Sequence, residues 1–392
     1  MLDSTIMDEA SELSFTIKVR PDHDSLDTFL AIARQCIAKS QADRPTIKVV
    51  IKELEKAFYF HENRTLKISL DCIRSGTGNF SDKQIVMSGG YGKLYKGQVQ
   101  YNNREKKVAV KRFSHNRQKK VAVNGTSFSW ENGFLKEFEV LFKYKHENIV
   151  SLVGYCKEMD EKIIVYEYTS KKSLDRRLND TSLSWSKRLK ICIDIAKGLK
   201  FLHGGGVGQD AVIHRDLKSS NILLTKDGKA KISGFEHALS YPTNEKIKYV
   251  IDDVVGSPGY CDPLYWETHT LTKESDIYSL GVILFEILCG RLAYPQDFRD
   301  HNQFLDVLVK RLFQVAQFDE IVFDGLKEQI ERKSLVTFRR IAFQCLHAEI
   351  KERPTAGEVV VQLQKALECQ VSFHGFRFRV SGKLVYYSAS GG

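Results

Sequence analysis

Hydrophobic positions change their spacing along the chain. Two short runs, 108–110 and 163–165, consist mostly of β-branched residues, a content typical of strands. In longer segments apolar residues recur every three or four positions, as on one face of a helix. This periodicity predicts helices over 134–144, 185–203, 274–289, 304–315 and 355–368. The order predicts an α+β chain in which a small strand-rich part precedes a larger helical part.

One helical pattern occurs twice. The segment 25–57 recurs at 334–366, and Cys36 aligns with Cys345 as Arg44 does with Arg353, at a constant offset of 309 residues. Each copy has the spacing of two helices, the second opened in the first copy by Pro45. One helix pair is too short to form a repeat array. We therefore interpret the first copy as the end of a unit whose full version follows.

The composition is that of an ordinary globular protein. The chain has 392 residues, of which 42% are hydrophobic and 28% charged, which excludes a disordered tail, a collagen or a small disulfide scaffold. The net charge of +10 is too dilute to indicate nucleic-acid binding. The basic cluster over 104–120 is interpreted as an exposed surface rather than a contact with anionic lipid.

Cysteine spacing and apolar runs bear on the compartment. The eight cysteines include no CxxC pair, so we predict free thiols in a reducing compartment rather than a zinc or redox site. The first ten residues are acidic and do not resemble a signal peptide. The longest apolar run, 280–289, contains Glu286 and is too short to span a bilayer. We expect a cytoplasmic protein whose association with a membrane is at most peripheral or through a partner.

Three motifs that bear chemistry follow in order. The glycine-rich segment 88–92 lets backbone approach phosphates closely, and Lys111 ends a strand-like run. Each of these is weak evidence alone. The run HRDLKSSNILL is far more specific, because its Asp216, Lys218 and Asn221 have the spacing of a base, a phosphate ligand and a metal ligand.

Together these motifs resemble a eukaryotic protein kinase, closest to the plant receptor-like serine/threonine kinases. The segments LVGYC, VYEY and GSPGY, which begin at positions 152, 165 and 256, are similar to that plant group. The resemblance covers about 78–368 and implies a bilobal kinase fold, with a small β-rich N-lobe and a larger helical C-lobe.

The resemblance also implies domain boundaries. The N-lobe spans 78–168 and the C-lobe 169–368. Residues 1–60 are similar to the last helices of a preceding kinase domain, which leaves 61–77 as a linker. The tail, 369–392, alternates as in a hairpin.

Roles for the matching residues follow from the resemblance, for transfer of the ATP γ-phosphate to a protein hydroxyl. Lys111 would hold the α- and β-phosphates, steadied by Glu137 from a helix. Asp216 would accept the hydroxyl proton, Lys218 would neutralise the γ-phosphate, and Asn221 would bind magnesium. The positions that match the family's nucleotide-binding residues are Gly89, Gly92, Leu94, Ala109, Lys111, Glu167, Thr169 and Leu223.

The metal-binding motif departs from the family pattern. Where the family has Asp-Phe-Gly, this chain has Gly234, Phe235 and Glu236, so the carboxylate that chelates magnesium is missing. Asn221 alone offers a neutral oxygen, whereas magnesium prefers carboxylate and phosphate oxygens. Losing about 4 kcal/mol of transition-state stabilisation would slow transfer roughly a thousandfold. Glu236 could replace the missing ligand only after a backbone shift.

Two further positions depart from the family. Met87 replaces the first glycine of the phosphate loop and adds bulk there. Leu264 replaces the glutamate that pairs with Arg353 in the family. We expect a buried, unpaired Arg353, at a cost of several kcal/mol, unless Gln362 or a nearby carboxylate compensates.

Three interpretations remain open at this point. The favoured one is a kinase-fold regulator that binds ATP, holds magnesium weakly or not at all, and acts on a partner kinase. The second is an active serine/threonine kinase with a protein substrate. The third is a truncated tandem-kinase product, suggested by the first helix pair.

The activation segment, 234–264, offers a site of regulation. We expect phosphorylation there to order the segment against Arg215. The candidate hydroxyls are those of Ser240, Tyr241, Thr243, Tyr249 and Ser257.

Overall fold

The computed structural model describes residues 23–62, 64–101, 104–114, 130–169, 173–204, 210–241, 249–294, 304–314, 318–375, 379–380 and 383–384. These residues form two lobes, and the predicted α+β class is confirmed. Thr243, residues 1–22, 115–120 of the basic cluster and most of the tail after 375 lie outside the described residues.

The N-lobe is built on a five-stranded antiparallel sheet of order β1-β2-β3-β5-β4. The strands are β1 (Ile85–Gly89), β2 (Gly92–Tyr101), β3 (Arg104–Phe113), β4 (Leu152–Cys156) and β5 (Lys162–Glu167). Side chains alternate along β3. Val108 and Val110 are therefore buried in a small core of the N-lobe, while Ala109 packs against the main core. Lys111 follows on the same face as Ala109.

The helices account for most of the rest of the described chain. They are α1 (His23–Cys36), α2 (Ile47–Glu62), α3 (Leu70–Gly76), α4 (Trp130–Lys143), α5 (Trp185–Leu202), α6 (Pro263–Thr268), α7 (Lys273–Cys289), α8 (Leu305–Gln314), α9 (Asp324–Lys327), α10 (Arg332–Cys345) and α11 (Ala356–Gly375). Each of the five segments with helical periodicity corresponds to one of these helices. The last of them continues to Gly375, past its predicted end.

Short strands pair two by two outside the N-lobe sheet. The pairs are β6 (Ala211–Ile213) with β9 (Leu239–Tyr241), β7 (Ile222–Leu224) with β8 (Ala230–Ile232), β10 (Val250–Ile251) with β11 (Thr270–Leu271), and β12 (Arg379–Val380) with β13 (Lys383–Leu384). Strand β7 forms the end of the HRDLKSSNILL run, and β8 leads into the altered metal motif that begins at Gly234. The last pair lies in the tail.

Helix α7 is the centre of the C-lobe. Its mainly apolar sequence is buried from Ser275 to Cys289. It ends at Gly290, which has a φ of +69° and donates its N–H to Glu286 O at 2.8 Å. Glycine adopts this left-handed cap without a Cβ penalty.

The first helix pair lies against the N-lobe. Phe60, at the end of α2, packs against Phe138 of α4 and Tyr155 of β4, with ring centroids 5.6 Å apart in both cases. Asp24 at the start of α1 forms an ion pair of 3.0 Å with Lys67. Through Phe60, the helix pair therefore contacts α4, the helix that carries Glu137.

The segment 61–77, predicted as a linker, is packed rather than free. It contains α3, whose Leu70 and Ile73 are 2% and 0% exposed. These residues, three positions apart on one helix face, join the small core of the N-lobe. The apolar spacing explains why this segment folds onto the sheet instead of connecting two domains loosely.

Candidate active site

Lys111 is bonded to two carboxylates. Its Nζ donates to Glu137 Oε2 at 2.6 Å, which brings the predicted lysine and helix glutamate together. It also contacts Glu236 Oε1, the residue that follows Phe235 in the altered metal motif. Glu236 therefore lies on the lysine, where the α- and β-phosphates of a nucleotide are expected.

Burial and charge set the pKa values of this group of three. Burial raises the pKa of Glu137 to about 7, against the opposing charge of Lys111. Burial would also raise the pKa of Glu236, but the charge and hydrogen bond of Lys111 prevail and lower it to about 2. Desolvation disfavours the charged Lys111, yet the two carboxylates raise its pKa. The stable arrangement is an ionised Glu236 on a charged Lys111.

The position of the missing aspartate is packed tightly. Gly234 has a φ of +83°, and a β-carbon there would lie 2.7 Å from Asn221 Cγ. Asn221 Nδ2 donates to the Asp216 carbonyl oxygen at 2.8 Å. The backbone thus takes a course that suits glycine and that leaves little room for a longer side chain.

Asp216 and Lys218 are in contact with each other and with Ser257. Lys218 Nζ lies 2.7 Å from Asp216 Oδ2 and donates to Ser257 Oγ at 2.6 Å. Ser257 Oγ in turn donates to Asp216 Oδ1 at 2.7 Å. The carboxylate thus already accepts a hydrogen bond from a hydroxyl, the geometry that a base needs toward an alcohol.

The core behind the site is continuous. Phe235 is fully buried and its ring lies 4.9 Å from that of His214. His214 Nε2 is 3.0 Å from Ser233 O. Leu141 and Leu152 belong to the same core. The altered metal motif therefore keeps its central side chain packed between the lobes.

The glycine-rich turn lies against α4 through Tyr91, whose ring would be 2.8 Å from a β-carbon on Gly133. Gly89 pairs with Gly92 across the turn, and a β-carbon on Gly92 would lie 2.0 Å from Arg112 O. Tyr91 Oη is 3.3 Å from His237 Nδ1, and burial is the main reason that its pKa is raised. Met87 is 37% exposed, so much of its added bulk faces solvent.

Four of the remaining positions predicted to contact nucleotide are half-buried. Leu94, Ala109 and Leu223 are half-buried and pack against the main core, and Thr169 is also half-buried. The Glu167 carboxylate is engaged elsewhere, because it accepts from Ser151 N at 2.8 Å and pairs with Lys231 at 2.8 Å.

Arg353 is paired with a nearby carboxylate, one of the two compensations that the sequence left open. Its Nη1 and Nη2 lie 2.6 and 2.9 Å from the two carboxylate oxygens of Asp262. Both side chains are 1% exposed. The compensating carboxylate, that of Asp262, lies two residues before Leu264. It is present in the sequence, but only the fold shows that it meets Arg353.

Arg215 also holds an acidic residue of the activation segment. Its Nη1 lies 2.9 Å from Asp252 Oδ2, and its Nη2 donates to Asp253 O and to the Tyr265 hydroxyl, each at 2.7 Å. The contact predicted for a phosphate is thus made by a carboxylate. Sequence reasoning did not single out Asp252.

Comparison with protein families matches residues 80–363 to the protein kinase domain. This chain belongs to the protein kinase family. It is similar to three receptor-like protein kinases of Arabidopsis thaliana: ANXUR1, 37% identical over 316 residues, FERONIA, 36% over 303, and HERK 1, 35% over 311. The predicted resemblance to plant receptor-like kinases is confirmed.

The alignments cover 80%, 76% and 79% of this chain but 35%, 32% and 36% of those relatives. The chain thus spans about a third of their length. None of the described helices is both long and apolar enough to cross a bilayer.

Proposed function

We propose that this receptor-like kinase domain acts mainly as a signalling regulator, through binding, with weak or absent phosphotransfer. The observation that carries the proposal is at the metal motif. Gly234 supplies no ligand, and Glu236, the nearest acidic residue in the motif, is bonded to Lys111. The carboxylate that could have compensated is therefore engaged in neutralising the phosphate-binding lysine.

The residues fit ATP better than they fit magnesium. Leu94, Ala109 and Leu223 offer apolar surface to an adenine ring, and Lys111 offers a cation once Glu236 has moved. Of the two positions that the family uses for the metal, only Asn221 keeps an oxygen donor. Among the described residues no group of three or more His, Cys, Asp or Glu has the arrangement of a metal site. We expect nucleotide binding that depends little on magnesium.

An active serine/threonine kinase is the second candidate. It is favoured by the contact of Asp216 with both Lys218 and the Ser257 hydroxyl. In that case Asp216 would take the proton of a protein hydroxyl in the position that the Ser257 hydroxyl now holds. Lys218 would offset the charge of the transferring phosphate. The bonded pair of Lys111 and Glu137 is compatible with either candidate.

Phosphate transfer from labelled ATP, with magnesium or manganese, tests the two candidates. The wild-type chain is assayed on itself and on a generic basic protein, beside Asp216→Asn and Gly234→Asp. We expect little or no transfer by the wild type and more by Gly234→Asp. Wild-type transfer that equals that of Gly234→Asp and that Asp216→Asn abolishes would overturn the proposal and establish the active kinase.

Binding and folding measurements make a negative assay informative. Fluorescent ATP is titrated with and without magnesium, and we expect similar affinity in both. A truncated, decaying product predicts instead that the protein shows no cooperative unfolding. The regulated protein is proposed to be a partner kinase, and any association with the plasma membrane to come through that partner.

A further inference from the structure

The two copies of the helix pair share their internal packing. Ile32 and Ala57, which lie between α1 and α2, are 3% and 5% exposed; their counterparts between α10 and α11, Ile341 and Ala366, are 2% and 0% exposed. Both copies thus fold as the same two-helix unit. Only their surroundings differ.

One face of the first copy is exposed where the second copy is buried. Phe29 is 49% exposed and its counterpart Phe338 is 0% exposed; Ile37 is 80% exposed and its counterpart Leu346 is 2% exposed. We call this surface of the first copy the repeat face. Its members, with their buried counterparts in parentheses, are Phe29 (Phe338), Cys36 (Cys345), Ile37 (Leu346), Ile51 (Val360) and Leu54 (Leu363).

The second copy shows what covers such a face. The ring of Trp185, on α5, lies 4.8 Å from that of Phe338, and its Nε1 donates to Ser334 Oγ at 2.8 Å. On α7, a β-carbon at Gly281 would lie 2.8 Å from Cys345 Cβ. The cover is therefore a kinase C-lobe, which offers an indole on one helix and a close approach at a glycine on another.

The turn between the two helices holds an arginine in both copies, Arg44 in the first and Arg353 in the second. Arg44 Nε donates to Ala38 O at 2.9 Å, as Arg353 Nε donates to His347 O at 2.8 Å, so the two turns are alike. Arg353 binds the Asp262 carboxylate, whereas no ion pair of the described residues includes Arg44. A surface that fits the repeat face should therefore supply a carboxylate to Arg44.

The C-lobe of the described residues already carries α10 and α11 on the matching surface, through Trp185 and Gly281. We propose that the repeat face docks on the C-lobe of a second protein kinase domain, one without a final helix pair of its own. Because α2 also packs on α4, the docked domain would lie beside the helix of Glu137.

The test uses the full chain as the binder and a modified copy of it as the probe. The probe ends at residue 331, which uncovers Trp185 and Gly281, and carries Phe29→Asp so that it cannot cover itself. We expect the coexpressed binder and probe to be recovered as a one-to-one complex, whose mass is measured by light scattering after size exclusion.

Phe29→Asp or Arg44→Glu in the binder should lower the recovery of this complex at least tenfold. Lys52→Asp, at the position of the exposed Val361, should not.

A graft keeps the proposal testable if the probe does not fold. In the full chain, residues 334–366 are replaced by 25–57, a segment of equal length. We expect one cooperative unfolding transition, which the same graft with Phe29→Asp lacks. A graft that does not fold, or a folded probe that the full chain does not bind, overturns the proposal. So does a dimer of the wild-type chain that Phe29→Asp dissociates, since the occupant would then be a second copy.

Discussion

At Gly234, where the metal-binding aspartate is missing, the backbone has a conformation that suits glycine. The φ of +83° disfavours a side chain, and so does the 2.7 Å that would separate a β-carbon there from Asn221 Cγ. We expect Gly234→Ala to lower the free energy of unfolding by about 1–2 kcal/mol, measured by urea denaturation. Gly89→Ala is the control, since no atom lies within 4 Å of a β-carbon there. Equal losses in the two variants would contradict this account.

Glu236 should act as an internal competitor of nucleotide. Its ionised carboxylate holds Lys111, so phosphates have to displace it. A charged hydrogen bond contributes about 1.5–3 kcal/mol, and we expect Glu236→Gln to tighten ATP binding by about tenfold or more in a magnesium-free fluorescence titration. Glu139→Gln, which removes a carboxylate from Lys143 on α4, should leave the affinity unchanged. Weaker binding by Glu236→Gln would refute the competition.

At the scale of elements, Asp262 ties the start of α6 to the turn before α11. Its carboxylate binds Arg353 with both oxygens and caps Leu264 N at 3.1 Å. We expect Asp262→Asn to keep the cap but leave a buried cation unpaired, and so to lower the free energy of unfolding by about 3–5 kcal/mol. Adding Leu264→Glu, which restores the family's carboxylate, should recover part of that loss. No loss on Asp262→Asn would mean that the pair is not stabilising.

The pair of Asp262 and Arg353 is an example of a contact that cannot be predicted from the sequence. Periodicity predicts α5 and α7 nearly to their ends, because a helix face is encoded within a few turns. The partner of Arg353 is 91 residues away and stands two positions from the expected glutamate, so only packing identifies it. Glu236 likewise is a candidate metal ligand by its place in the motif, whereas in the fold its carboxylate accepts a hydrogen bond from Lys111. Local patterns thus anticipate elements and motifs, but not which charges meet between them.

At the scale of the whole molecule, Glu286 couples unfolding to pH. It is fully buried in α7, where Oε1 accepts from the Tyr260 hydroxyl at 2.5 Å and from Ala293 N at 2.8 Å. Burial raises its pKa to about 7, against an ordinary value of 4.5. The folded protein thus keeps a proton that the unfolded chain releases between these values. This stabilisation is complete below about pH 4.5 and is lost as the pH rises through 7.

Glu286→Gln tests this linkage, because glutamine can accept both hydrogen bonds and does not titrate. We expect the free energy of unfolding of the variant, relative to the wild type, to rise by about 3 kcal/mol between pH 5 and pH 8. Taking the difference at each pH removes the contribution of Glu137, whose pKa is also raised. Urea unfolding curves of both proteins at pH 5, 6, 7 and 8 measure this difference in the free energy of unfolding. Parallel pH profiles of the two proteins would show that Glu286 is already ionised in the fold.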